Sequence, residues 1–384
     1  MPAEPSTVRQ EWTEPGAFAV APGVHRIPLP LPSDGLRAVN VYAIEDGDSL
    51  VLVDGGWALA ESRQVLAKAL GEIGCEPGDI RQIFVTHVHR DHYTQAIQLR
   101  REFGARVSLG SGERDSIDLI LGRSAHPVGP QLTGLRASGA WPVLERLRAL
   151  FDSSERDRER DGAGRDGAGR GSAEPAPPDG ATWEAPDQWL AHDQEIELRN
   201  RSLRVLATPG HTQGHVVFAD LAAGLLFAGD HVLPHITPSI GFEPVESRQP
   251  LANYLGSLRL MQALPDLRLL PAHGPVAASV HARVDELLAH HAGRLDRSAA
   301  AVGGGPATAY QVATRLRWTR RERTLDDLDP FNQMLAVTET RAHLELLVAQ
   351  GRLAAQQDGE VTYYAPAAPS GPAGAGDARP GATG

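Results

Sequence analysis

Lysine is all but missing from this chain. Lys68 stands alone among 384 residues, and the other cationic residues, in a total of 37, are arginine. The arginines scatter through apolar and polar stretches alike, as a GC-rich coding bias would leave them. Against 48 acidic residues they give a net charge of −11, which excludes a general nucleic-acid binder but not a local basic patch. Cysteine is equally scarce. Cys75 cannot close an intramolecular disulfide, so the chain suits a reducing cytoplasm, with the thiol as a spectator near a helix end. No apolar run reaches membrane-spanning length, since Leu221 to Gly229 stops at Asp230. Met1 to Val20 carries Glu, Pro and Trp and lacks the apolar core of a signal peptide. A soluble, cytoplasmic protein without a membrane partner is expected. There is no Gly-x-Ser-x-Gly elbow, and no glycine-rich run leads into Gly-Lys-Ser/Thr. Serine-elbow and phosphate-loop chemistry are therefore unsupported.

What is present suffices for a sizeable core: 41% of residues are hydrophobic and 22% charged. Short apolar bursts predict strands over 23–27, 38–44, 49–53, 83–85 and 106–109, and later over 195–198, 203–207, 216–219, 225–228 and 267–270. Helical spacing falls between them, over 58–73, 93–103, 251–264 and 280–294. This alternation predicts an α/β layered fold. Residues 1–22 read as a flexible leader ahead of a main domain over 23–300. Residues 115–150 read as a helical insertion of the kind that caps an active site, and 152–180 as a low-complexity loop rich in Gly, Pro and charge. A small Ala/Gly hinge over 300–306 then leads to a unit of different character over 306–365. Two helices, 308–318 and 331–350, and a hairpin pairing 352–355 with 361–364 make it winged-helix-like. The Ala/Gly/Pro tail over 366–384 should be disordered.

The sharpest chemical signal is Thr86-His87-Val88-His89-Arg90-Asp91-His92, which follows an apolar strand and opens a helix. Imidazoles and carboxylates are the ligands zinc and similar ions prefer. Spacing of i and i+2 in an extended turn aims His87 and His89 at one point, while Asp91 and His92 face a second as the helix begins. Three further candidates arrive singly at predicted strand ends: His211 in Thr208-Pro209-Gly210-His211, Asp230 after Gly229, and His273 in Pro271-Ala272-His273-Gly274. Taken alone, each is as readily a turn residue.

In joint order these motifs resemble the metallo-β-lactamase superfamily. Its pattern is an early Asp, here Asp54, then His-x-His-x-Asp-His, then separate His, Asp and His motifs, and all are present from Asp54 to His273. The resemblance implies a metallo-β-lactamase αβ/βα sandwich with its site at one rim. It also implies that His87, His89 and His211 hold a first metal, and Asp91, His92 and His273 a second. Asp230 would bridge the two, and Asp54 would steady the histidine loop without ligating. Two divalent ions are expected, zinc by default with iron or manganese as alternatives, and between them a hydroxide that attacks a carbonyl or phosphoryl centre. Asp91 and Asp230 are the catalytic candidates. Tyr93, His215 and His231 are candidates for the substrate pocket, and His235 a weaker one. His126, His281, His290, His291 and His343 are expected on the surface or in the core.

Three functions compete on these residues. A small-molecule hydrolase of thioesters, esters or lactones, similar to glyoxalase II-type enzymes, fits the acidic charge and the inserted helices. An endoribonuclease of the β-lactamase-like branch fits the winged-helix-like tail, with Arg315, Arg317, Arg320, Arg321 and Arg323 near Trp318 facing single-stranded RNA. Glu322, Asp326, Asp327 and Asp329 beside that strip argue for a solvated helix end instead. A non-enzymatic winged-helix regulator ranks last, because it leaves an intact ligand set unexplained. A homodimer is compatible with all three.

Overall fold

Strand β4 (Ser49–Val53) shows how the sequence builds layers. In the computed structural model, which describes residues 11–31, 35–122, 129–150 and 183–367, its last four residues are buried. Successive side chains point to opposite faces. Leu50 and Leu52 therefore join one apolar cluster, while Val51 and Val53 join another. A strand covered on both faces lies in the middle of a sandwich.

That strand belongs to a seven-stranded sheet in sequence order, β1 (Phe18–Ala21), β2 (Val24–Pro30), β3 (Ala38–Asp46), β4, β5 (Ile80–Val85), β6 (Arg106–Gly110) and β7 (Gln188–Leu190). Pairing is antiparallel up to β4 and parallel beyond it. A five-stranded sheet faces it, ordered β12 (Arg268–Pro271), β11 (Leu225–Gly229), β10 (Val216–Asp220), β9 (Ser202–Ala207) and β8 (Glu195–Glu197). Tyr42 against Phe227 and Phe84 against Phe218 interlock the sheets, with ring centroids 5.4 and 5.8 Å apart. Helices α1 (Ala60–Glu72) and α2 (Arg90–Phe103) cover the first sheet's outer face. Helices α6 (Pro250–Gln262) and α7 (Val280–Val302) cover the second. The expected αβ/βα sandwich is thus the observed one.

The insertion is helical as expected, with α3 (Arg114–Leu121), α4 (Gly129–Ala137) and α5, whose described part is 141–150. After α7 come a short strand β13 (Ala307–Thr308), α8 (Ala309–Arg315), α9 (Pro330–Ala349) and the hairpin of β14 (Leu353–Asp358) with β15 (Val361–Pro366). Together the strands form a sheet ordered β13-β15-β14.

Several boundaries differ from expectation. The leader is not free throughout, because Phe18–Ala21 pairs with β2 and Arg26 Nη1 donates to the Trp12 carbonyl at 2.6 Å. Helix α7 runs to Val302, so the hinge shrinks to the few residues after it, starting at Gly303 with φ 77°. The arginine strip starts at a helix end, with Arg315 closing α8, and continues through a tight turn that holds Arg320 and Arg321 and closes at Arg323. Trp318 and Arg323 exchange backbone hydrogen bonds at 2.8 Å, with Thr319 and Glu322 at positive φ. The 152–180 loop, the tail beyond 367 and His126 lie outside the described residues. Among those described, no helix is long and apolar enough to cross a membrane.

Candidate metal centre

Every candidate ligand lies in a segment that follows a strand, Asp91 and His92 in the first turn of α2. β5 delivers residues 86–92, β9 delivers His211, β11 Asp230 and β12 His273, so the ends of both sheets meet at one rim. Small residues allow the approach. Gly229 has φ 49°, and a Cβ there would lie 2.7 Å from the Thr86 side chain and 2.8 Å from His215 Nε2.

The imidazoles are held by their outward nitrogens. His89 Nε2 donates to the Phe242 carbonyl at 3.2 Å, His211 Nδ1 to the Ser239 carbonyl at 2.8 Å, and His273 Nδ1 to the Ala38 carbonyl at 2.8 Å. His92 Nδ1 donates to Asp54 Oδ2 at 3.0 Å. The Thr86 hydroxyl donates to Asp54, which leaves its oxygen to accept from His87 Nδ1 at 3.0 Å. These partners take up the outward N–H of each ring, so the inward nitrogens of His87, His89 and His211 present lone pairs, and those of His92 and His273 do so once they give up a proton. His87 Nε2 and His211 Nε2 each stand 3.0 Å from His89 Nδ1. Neither contact is a hydrogen bond, because all three protons are committed elsewhere. Three converging lone pairs suit a shared cation.

A second set lies beside the first. His273 Nε2 is 3.4 Å from Asp91 Oδ2 and 3.3 Å from Asp230 Oδ1, and His92 Nε2 is 3.5 and 3.7 Å from the same two atoms. His92 Nε2, His273 Nε2 and Asp230 Oδ1 are buried without a hydrogen-bond partner. Asp230 turns its other oxygen to His211 Nε2 at 3.5 Å. The groups His87/His89/His211, His87/His92/Asp230 and Asp91/His92/His273 are each tight enough to hold an ion. Unsatisfied buried donors of this kind fit divalent metal.

Charge differs between the two halves of the site. Burial, reinforced by neighbouring histidines, pushes His87 well down and takes His89 to about 3; burial also takes His211 to about 4, so all three are neutral. Burial opposes charge on Asp91 too, but His92 and His273 outweigh it and hold the carboxyl well below its usual range. Burial likewise opposes charge on His92 and His273. There the carboxylates win, lifting His273 to about 8 and His92 well up, so cation binding would displace protons from this half.

Asp54 touches the centre only through Thr86 and His92. The pocket candidates fare differently. Tyr93 is a correction: its ring is fully buried, stacks on Trp183 at 5.7 Å and its hydroxyl donates to the Glu184 carbonyl at 2.7 Å. The helix turns this side chain into the α2 core, away from the rim. His215 is also buried. It stacks under His87 at 5.0 Å, donates from Nδ1 to Thr208 Oγ1 and accepts the Asp230 N–H at Nε2. His231 packs against Tyr254 at 5.4 Å, and burial takes it down to about 3. Neither lines an open surface. His291 and His343 are core residues.

Glu113 is a residue of the site that sequence reasoning misses. Fully buried, it accepts from Val88 N, between two ligands, and from the Thr212 hydroxyl, next to a third. Burial lifts its carboxyl to about 7. A single Glu in a polar turn carries no periodic signal.

A family model described as the metallo-beta-lactamase superfamily matches residues 34–122 and 128–273. The probable metallo-hydrolase YqjP of Bacillus subtilis strain 168 is 24% identical over 349 residues, 88% of this chain and 96% of its own length. The beta-lactamase-like protein 2 homolog of Drosophila melanogaster is 27% identical over 175 residues, 46% of this chain and 55% of its own. Among solved structures, the metallo-beta-lactamase family protein TTHA1429 of Thermus thermophilus is 26% identical with a TM-score of 0.67, covering 91% of this chain and 100% of the other. A beta-lactamase domain protein from Burkholderia ambifaria is 25% identical with a TM-score of 0.70, covering 91% and 94%. Coverage of that extent carries the likeness past residue 273 into the C-terminal unit.

Proposed function

Because the chain belongs to the metallo-β-lactamase superfamily, we propose that it is a hydrolase of small thioesters, esters or lactones that works with two divalent ions, zinc by default and iron or manganese as alternatives. The observation that carries this reading is the division of Asp230. One oxygen faces His211 and the other faces His92 and His273, so two donor sets share one carboxylate. His87, His89 and His211 would hold one ion, Asp91, His92 and His273 the other. When bound, the ions supply Lewis acidity toward a carbonyl oxygen and a water acidic near neutral pH. Asp54 keeps His92 and, through Thr86, His87 aimed inward. Asp91 is the proton carrier in this reading. Its side chain is 18% exposed against 9% for Asp230, so it can reach both an attacking water and a leaving group.

A carbonyl substrate is favoured over RNA by what the nearby arginines do. Phosphate backbones are gripped by free cationic donors. Arg320 Nη2 instead donates to the His235 carbonyl at 2.6 Å, and Arg315 Nη1 to the Ala301 and Val302 carbonyls at 2.8 and 3.1 Å. Arg90, within the histidine motif, lies over the Trp57 ring at 5.2 Å. The test is a side-by-side assay of zinc-loaded and chelator-treated protein against thioester, lactone, phosphodiester and single-stranded RNA substrates. Metal-dependent turnover of a carboxyl derivative is expected. Turnover confined to the phosphodiester or RNA would overturn the substrate class, and equal rates after chelation would overturn the mechanism.

A further inference from the structure

Phe331 lies in the first turn of α9 with its side chain 44% exposed, although Asp329 already caps that helix by accepting the Asn332 N–H at 3.0 Å. The cap needs no aromatic ring. The ring meets Phe242 edge to face, centroids 5.5 Å apart, and Phe242 in turn lies 5.8 Å from the ring of His89. Two aromatics thus run without a break from a ligand of the centre to the outer surface.

The wall is also held still. The Phe242 carbonyl is tied to His89 Nε2, and the loop over 231–249 that carries it is gripped from outside. Arg283 donates to the Leu233 and Ile236 carbonyls at 2.6 and 2.9 Å, and Arg320 to that of His235. Gly241, at φ 86°, passes so close to Thr338 of α9 that a Cβ would approach its methyl to 2.8 Å. Ile236, on the same loop, is 42% exposed. Apolar side chains left open beside a reactive centre mark a ligand surface.

We propose that Phe242 and Phe331 form a subsite for the apolar acyl chain of the substrate, so that the C-terminal unit selects what the metal centre hydrolyses. This deepens the reading of the centre as a carboxyl-derivative hydrolase and rests on it. Charge selects the occupant. Asp326, Asp327 and Asp329 lie within a few residues of Phe331. An anionic nucleic acid is repelled there, whereas a neutral hydrocarbon chain is not. Flat aromatic faces accept methylenes at close contact, and burying two of them is worth about tenfold in affinity.

The experiment compares acetyl, butyryl, hexanoyl and octanoyl thioesters on the zinc-loaded protein and on F331A and F331L. Calorimetric titration with octanoate and acetate runs beside it. In the parent, kcat/KM should climb with chain length; in F331A the octanoyl-to-acetyl ratio should fall by about tenfold, and in F331L largely recover. Octanoate should bind more tightly than acetate, and that preference should vanish in F331A. An unchanged ratio and unchanged octanoate preference overturn the subsite. So does a change of sedimenting mass in F331A with the acyl series intact, which would make the ring a self-association contact. If no thioester of any length is turned over, the thioester branch of the proposed function fails, and octanoate titration then decides the subsite by itself.

Discussion

Asp54 occupies a left-handed backbone position, φ 62°, that few residues other than glycine, asparagine and aspartate tolerate. Its carboxylate accepts from Thr86 N at 2.8 Å, the Thr86 hydroxyl and His92 Nδ1, so one residue aims two ligands. Asp54→Asn turns one accepting oxygen into a donor that opposes His92. Zinc affinity should fall about 10- to 100-fold, read by competition with a chromogenic chelator, and unchanged affinity would place the aim elsewhere. Residues of this sort are legible in the sequence alone, because metal ligation demands His and Asp at strand ends and leaves a motif. Glu113 is not, since its significance arises only where α3 meets two ligand loops. Its folded-state carboxyl at about 7 lies above the usual 4.5. The unfolded chain loses that proton first as pH rises, so stability declines from about pH 4.5 to 7 and stays reduced above, by up to about 3 kcal/mol. Glu113→Gln mimics the protonated acid. In urea unfolding the variant should match the parent near pH 5 and exceed it near pH 8; a gap independent of pH would contradict the assignment.

At the scale of elements, strands such as β4, β10 and β11 are readable because sheets covered on both faces need unbroken apolar runs. Very short edge segments are not. β7, β13 and β1 carry two to four residues, too few for a periodic pattern even where, as in β1, all are apolar, and a neighbouring edge makes them strands. The loop over 231–249 is equally silent, yet its Ser239 and Phe242 carbonyls fix two of the histidines. Its shape depends on α7. Arg283, mostly covered, grips two of its carbonyls while pairing with Glu286. Arg283→Ala should therefore cost about 1–3 kcal/mol of stability. It should also speed zinc release to a chelator, since His89 and His211 lose their fixed acceptors. Faster release with Arg283→Lys restoring little would fit the two-carbonyl geometry, which a single ammonium cannot reproduce. Unchanged release would show the loop to be held by other means.

The whole molecule divides differently from the sequence. Composition shifts suggest a hinge and a separate C-terminal unit, and a hinge of a few Gly residues does exist. The core does not respect it. Leu251 and Leu258 of α6, Val284 and Leu287 of α7, Val312 of α8, Met334, Val337 and Leu347 of α9 and Tyr364 of β15 belong to one buried apolar cluster, joined by Leu135, Leu144 and Leu147 of the insertion. Linker composition marks where chain is flexible locally, but it does not reveal which faces pack across it. Those faces are the outer cover of α6 and α7, and through the 231–249 loop they reach the centre itself. A chain ending at residue 305 would leave that cover in water, at a cost of at least about 5 kcal/mol, comparable to the stability of an ordinary domain. It should be insoluble or lack near-ultraviolet dichroism. The full chain should unfold in urea as one transition, with tryptophan fluorescence and far-ultraviolet dichroism coincident. A soluble, natively folded truncation that still retains zinc, or two resolved transitions in the full chain, would instead make the C-terminal unit an independent domain merely resting on its neighbour.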